Sequence, residues 1–309
     1  MKKLKRALPI ILVVVIFLTG VAVLVYPLIS SVINNVNTRN EAAEYFEKAN
    51  KTNDDEIDRL FQEAYNYNQA LLNTVILTDP FDPESYEKIE VKYRETFNTN
   101  EAGLIGYIDI PKINVYLPIF HGTSLDVLSK GAGHLENTAF PVGGKNTHSV
   151  ISAHTAYPTE TFFDYLTDLK EGDMFFVHVL NQTLQYKVDQ IKVVLPDNTK
   201  DLHVEKDRDL LTLLTCTPYS INTHRLLVRG ERVQPYIPGK EEGMKSLKTD
   251  SQYIYFMGYK ISYFTMALAI GIFILFVVGV VALIQLIRRR SEKHNLQKKG
   301  APANEKQEE

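Results

Sequence analysis

The chain has 309 residues, of which 45% are hydrophobic and 23% charged, and a formal net charge of −3. That balance excludes a wholly disordered chain and offers no basic surface for a nucleic-acid partner. The one cysteine, Cys216, excludes an intramolecular disulfide, a cysteine-based zinc site and a CxxC redox motif, each of which needs a second thiol.

Taken from the N-terminus, Ala7 to Ile29 is an uncharged run of 23 residues, and Ile261 to Ile287 is another of 27. A bilayer core about 30 Å thick needs about 20 apolar residues in a helix, so both runs are long enough to span it. A cleaved signal peptide is the alternative for the first, although no small-x-small cleavage site follows cleanly. For the second the alternatives are a buried core helix and a cell-wall sorting signal. Twenty-seven uncharged residues argue against the former, and Ile237-Pro238-Gly239-Lys240 does not fit the LPxTG-like pentapeptide the latter needs. Lys2, Lys3, Lys5 and Arg6 precede the first run, and Arg288, Arg289, Arg290 and Lys293 follow the second. Positive flanks stay in the cytoplasm, which predicts both ends inside and the middle outside. The ends carry a net +7 and the middle a net −10. Asn295 to Glu309 is polar and low in complexity, and reads as a disordered cytoplasmic tail.

Residues 34–100 carry helical spacing in Ala42, Ala43, Tyr45, Phe46 and Ala49, in Ile57, Leu60, Phe61 and Ala64, and in Tyr67, Leu71 and Leu72. Lys51-Thr52-Asn53-Asp54 separates two helices, with Asn53 or Asp54 capping the second. Asp79-Pro80-Phe81-Asp82-Pro83 then forbids continuous helix or a central strand. From Leu104 the pattern changes to short strands: Leu104–Ile110, Asn114–Phe120, Ser149–Ala153, Met174–Leu180, Thr183–Leu195, Leu210–Thr215 and His224–Val233. A hairpin turn is expected at Asn181-Gln182, a bulge near Asp189-Gln190, and a short helix over Thr161–Leu169. Several short strands over about 130 residues argue for a barrel or sandwich. Gln234–Asp250 reads as a polar linker.

Cys216 ends the strand Leu210–Thr215, and His224-Arg225 opens the next. If the two pair as a hairpin, Cys216 and Arg225 share one mouth of the barrel, where a fixed cation depresses a thiol pKa. An inert buried cysteine is the plain alternative. His154 directly follows the apolar run Ser149–Ala153, and a Cys–His pair is the minimum for thiol nucleophilic catalysis. His134, His148 and His154 could instead form a metal site, with Glu136 the one acidic residue near them.

These residues resemble the sortases. Thr212-Leu213-Leu214-Thr215-Cys216 matches their TLxTC signature, Arg225 their arginine, and His154 within Ser152-Ala153-His154-Thr155 their histidine. Gly133-His134 through Thr138, Pro141, Gly143 and Gly144 also looks like a sortase. Cys216-Thr217-Pro218-Tyr219 and Asn222-Thr223-His224-Arg225, with two spans and extra N-terminal helices, look like class C, the pilus-assembling sortases of Gram-positive bacteria. Asp79-Pro80-Phe81 resembles the lid of that class, with Phe81 where other members often carry Trp.

The resemblance, which covers roughly residues 40–235, implies a mainly β fold: an eight-stranded sortase barrel with N-terminal helices and two flanking transmembrane helices. It implies a cytoplasmic N-terminus (1–6), a transmembrane helix (7–33), extracellular helices and lid loop (34–100), a catalytic barrel (101–235), a linker (236–260), a second transmembrane helix (261–287) and a cytoplasmic tail (288–309). The implied activity is that of a membrane-anchored cysteine transpeptidase with no metal and no cofactor. Cys216 would attack the threonine carbonyl of an LPxTG-like signal, His154 would transfer protons, and Arg225 would stabilise the oxyanion. A lysine amine of the next pilin would then resolve the thioacyl enzyme. The implied partners are pilin subunits and membrane lipid. Within the family, a housekeeping sortase that joins surface proteins to lipid II is the alternative. Outside it, the alternatives are a plain cysteine hydrolase and a tethered adhesin or scaffold.

Overall fold

The structure is a computed structural model; it describes residues 40–71, 79–81, 91–98, 103–157, 160–233, 253–256 and 259–262, with isolated positions within 15–38 and 271–289. Most of both terminal apolar runs therefore lies outside the described residues, as do Leu72, Asp82, Pro83, the linker 234–252 and the C-terminal tail. Among the described residues no helix is long and apolar enough to cross a membrane.

Eight strands close into a barrel in the order β1-β2-β3-β4-β7-β8-β6-β5. They are β1 (Leu104–Ile110), β2 (Val115–His121), β3 (Ala132–His134), β4 (Thr147–Ser152), β5 (Met174–Val179), β6 (Gln182–Val194), β7 (Asp209–Thr217) and β8 (His224–Arg232). Closure removes the exposed edges that short strands would otherwise present. Two neighbouring pairs, β2–β3 and β4–β7, are parallel. The three-residue strand β3 escapes the sequence pattern because it is shorter than one alternation of apolar and polar positions. Gly133 on β3 is required by close approach, since a Cβ there would stand 2.2 Å from the Gly122 carbonyl oxygen.

The bulge falls between Val188 and Gln190 of β6, and Asp189 receives Arg208 at 2.5 Å and Arg229 at 2.7 Å. Two local expectations change. Val179 pairs with Gln182, so the β5–β6 turn is Leu180-Asn181, one residue earlier than the Asn181-Gln182 expected. Residues 161–169 form no helix beyond a single turn over Leu166–Asp168. The Asp164 carboxylate accepts from the backbone N–H groups of Ala156 and Phe162, and Phe163 N–H bonds back to the His154 carbonyl, which holds the segment in a loop.

The N-terminal helical residues 40–51 are followed by α1 (Asp54–Ala70), capped by Asn53, and by α2 (Val91–Glu95). Side-chain anchors tie these helices to the barrel. The Tyr45 hydroxyl donates to the Ile105 carbonyl and accepts from Leu180 N–H. Buried Asn68 exchanges two hydrogen bonds with the Phe140 backbone, at 2.7 and 3.2 Å. The Tyr93 hydroxyl joins His134 and accepts from Gly122 N–H. Separately, β9 (Tyr253–Phe256) and β10 (Tyr259–Ser262) form a two-stranded sheet.

Candidate active site

Cys216 lies one residue from the end of β7, buried to 9% exposure. In the β7–β8 hairpin its direct partner is Arg225. On the other side of β7 runs β4, in parallel, with Ser152 opposite Leu214. The pairing continues past β4, because Ala153 N–H donates to the Leu214 carbonyl at 3.2 Å. The same register carried two residues beyond Ser152 sets His154 beside Cys216. Three chemically distinct side chains thus leave three adjacent strands at one mouth of the barrel.

The residues before Cys216 explain why the strand sits there. Leu213 and Leu214 are buried, Leu214 in a cluster with Leu135, Val150, Leu202 and Leu227. The Thr215 hydroxyl donates to the Ala153 carbonyl at 2.7 Å, and so fixes the backbone immediately before His154. Thr212 shares a 2.7 Å hydrogen bond with His148 Nε2. Both ring nitrogens of His148 are engaged, with Thr212 and the His203 carbonyl, and so are both of His134, with Tyr93 and the Ala139 carbonyl. These two histidines are hydrogen-bonded core residues in separate surroundings, and they do not converge on His154 as a metal site would require.

Asp79-Pro80-Phe81 lies across this mouth. Asp79 accepts from Arg225 Nε at 2.8 Å and from Nη2 at 2.6 Å, a two-pronged pair whose side chains are 14% and 10% exposed respectively. Arg225 Nη1 donates to the carbonyls of Asn222 and His224. The Phe81 ring lies 5.5 Å from the His154 ring and 5.2 Å from the Arg225 guanidinium, and it packs on the Leu214 cluster. His154 also stacks with Tyr157, at 5.6 Å and 16°. The imidazole therefore contacts two aromatic rings.

The thiol corrects one expectation. A neighbouring guanidinium alone would depress its pKa, yet burial pushes Cys216 up to about 11, with Arg225 lowering it and Asp79 raising it. Burial also lowers the pKa of His154. Desolvation outweighs the cation, and Asp79 adds to it. Burial thus disfavours the charged form of both groups.

Residues 108–233 match the sortase domain family. Sortase D of Bacillus subtilis is 30% identical over 147 residues, which are 47% of this chain and 71% of that protein. The chain belongs to the sortase family. Its barrel is similar to the crystal structure of sortase C-1 from Streptococcus pneumoniae, with a TM-score of 0.60 and 43% identity over 64% of this chain and 100% of that one. It is similar as well to a pilus-related sortase C of Group B Streptococcus, with a TM-score of 0.57 and 47% identity over 62% of this chain and 97% of that one. As a sortase the chain is a cysteine transpeptidase, and it has a single cysteine. Sequence reasoning did not single out Tyr157 or Asp164, which lie in the loop that follows His154. The one local signal was Asp164 inside an aromatic stretch, and the helical expectation for that stretch concealed it.

Proposed function

We propose that this sortase joins pilin subunits on the cell surface, with Cys216, His154 and Arg225 as its reacting groups. The observation that carries the reading is the strand register, which places the only thiol directly opposite Arg225 and sets the end of β4 with His154 alongside. The Cys216 sulfur attacks the threonine carbonyl of an LPxTG-like signal, and a sulfur–carbon bond forms as the Thr–Gly amide breaks. His154 takes the proton of the attacking thiol and delivers it to the departing glycine amine, then accepts one from the incoming lysine amine and returns it to the departing sulfur. That amine expels the thiol and leaves an amide between two pilins. Arg225 supplies fixed donors for the oxyanion that develops at the carbonyl.

In this reading Asp79-Pro80-Phe81 is a lid that must leave first. Its departure removes Asp79 from Arg225 and admits water, and both changes bring the thiol down from about 11. Two spans, with residues 34–259 outside, would hold the enzyme beside membrane-tethered pilins and raise their effective concentration. The similarity to a pilus-related sortase C supports the pilin substrate.

The test is polymerisation of purified pilin by the full chain, with Cys216→Ala, His154→Ala and Arg225→Ala compared singly. Each loss is expected to be severe and non-additive. A Cys216→Ala protein that still polymerises would end the reading. Equal consumption of sorting peptide with and without a lysine acceptor would mark a hydrolase instead.

A further inference from the structure

The backbone on the near side of His154 is held by the β4–β7 pairing, and on the far side it depends on Asp164. There the chain turns back at Ala156, which has a left-handed φ of 58°, unfavourable for alanine because of its Cβ. Asp164 Oδ1 accepts from Ala156 N–H at 2.8 Å, and Oδ2 from Phe162 N–H at 3.0 Å. One carboxylate thus closes both legs of the 155–163 loop. Phe163 N–H completes the closure on the His154 carbonyl at 3.0 Å. Tyr157, next to the strained alanine, is the ring stacked on His154, and Phe162 backs Tyr157 at 5.4 Å. Tyr219 is an electrostatic neighbour of Asp164, which raises the pKa of the Tyr219 phenol after burial does. Tyr219 is three residues past Cys216, at the start of the β7–β8 loop.

We infer that Asp164 is a positioning residue that fixes the loop carrying the His154 ring. It touches neither the imidazole nor the thiol. It acts through the Ala156 N–H and the Tyr157 ring, which set the plane in which the imidazole faces the cleft. Asp164 is itself half-buried; burial raises its pKa, and the Ala156 and Phe162 N–H donors pull it down in part. A carboxylate suits this place because it accepts from donors on both sides, whereas a carboxamide offers one acceptor oxygen and an NH2 that cannot accept.

The inference rests on the role of His154 proposed above, and its test separates the two. The full chain, in detergent, is assayed with a sorting peptide as wild type, Asp164→Asn and His154→Ala. A small misplacement of a proton-transfer group lowers turnover steeply, so Asp164→Asn is expected to lose about tenfold or more in kcat with KM within about twofold. The limb of its pH profile that reports the imidazole should move. Alkylation of Cys216 by a small reagent, which needs no histidine, should stay within about twofold of wild type. Adding Ala156→Gly to Asp164→Asn should restore part of the activity, because glycine takes the left-handed φ unaided. An unchanged kcat and pH profile in Asp164→Asn, beside an inactive His154→Ala, would remove this inference alone. A parallel fall in kcat, alkylation and thermal midpoint would reduce Asp164 to a structural residue and overturn it. An active His154→Ala would take the parent reading down and this one with it.

Discussion

Asp79 grips Arg225 through both carboxylate oxygens, although the two residues stand 146 positions apart in the chain. The guanidinium next to the only thiol is therefore already paired. Both partners are largely buried, so this is not the exposed ion pair of small value that a surface lid would offer. Phe81 adds apolar burial over His154.

Removing both lid contacts should expose the thiol. The Asp79→Ala/Phe81→Ala double variant is expected to alkylate at neutral pH at least about tenfold faster than wild type. It should retain peptide cleavage, since neither residue takes part in bond making. Equal alkylation rates would dispose of the lid.

The same pair of proteins should differ in pH dependence. A thiol held at about 11 is protonated at neutral pH, and its alkylation rises as pH climbs toward that value. In the double variant the carboxylate that raises the pKa is gone and water enters, so the midpoint should fall toward the ordinary thiol range. Alkylation of both proteins over pH 6 to 11 measures this, and coincident profiles would refute it.

Arg225→Lys tests the shape of the cation apart from its charge. A lysine ammonium is a point donor and cannot reproduce the fork that reaches Asp79 while also holding the Asn222 and His224 carbonyls. Activity is expected to fall by about a hundredfold or more, close to the loss in Arg225→Ala. Near-normal turnover by the lysine variant would show that charge alone suffices.

Acid stability should report the buried histidines. Burial lowers the pKa of His134 to about 3 and that of His148 to about 4, below the ordinary histidine value of 6.5. Between about pH 6.5 and those values the unfolded chain binds protons that the folded chain does not. The stability is therefore fully present above about pH 6.5 and is lost as pH falls. Denaturant midpoints should drop across that window, and the slope should be shallower in a His148→Asn variant. An equal slope in the variant would exclude His148 as a source.

Membrane topology is open to the single thiol. In protoplasts that carry the double lid variant, a membrane-impermeant thiol reagent should label Cys216 without lysis, as two spans with basic flanks require. Labelling only after lysis would invert the topology.

The strands, the capped second helix and the hairpin that aligns Cys216 with Arg225 were legible from residue patterns, because each depends on neighbours close in the chain. Apolar alternation marks a strand, Asn53 marks a helix start, and a short loop between two strands sets which residues face each other. The TLxTC stretch, with His154 and Arg225 in order, was enough to suggest the chemistry. Three other features belong to the tertiary structure alone. The parallel seating of β4 against β7 brings His154 to the thiol from 62 residues away, and no local pattern encodes that pairing. The loop on Asp164 displaced an expected helix because a carboxylate can collect N–H groups from both legs, which helical periodicity does not reveal. The protonation of Cys216 turned on burial, on Arg225 and on Asp79: a pKa follows the field and solvent around a group, and the packed tertiary structure sets both.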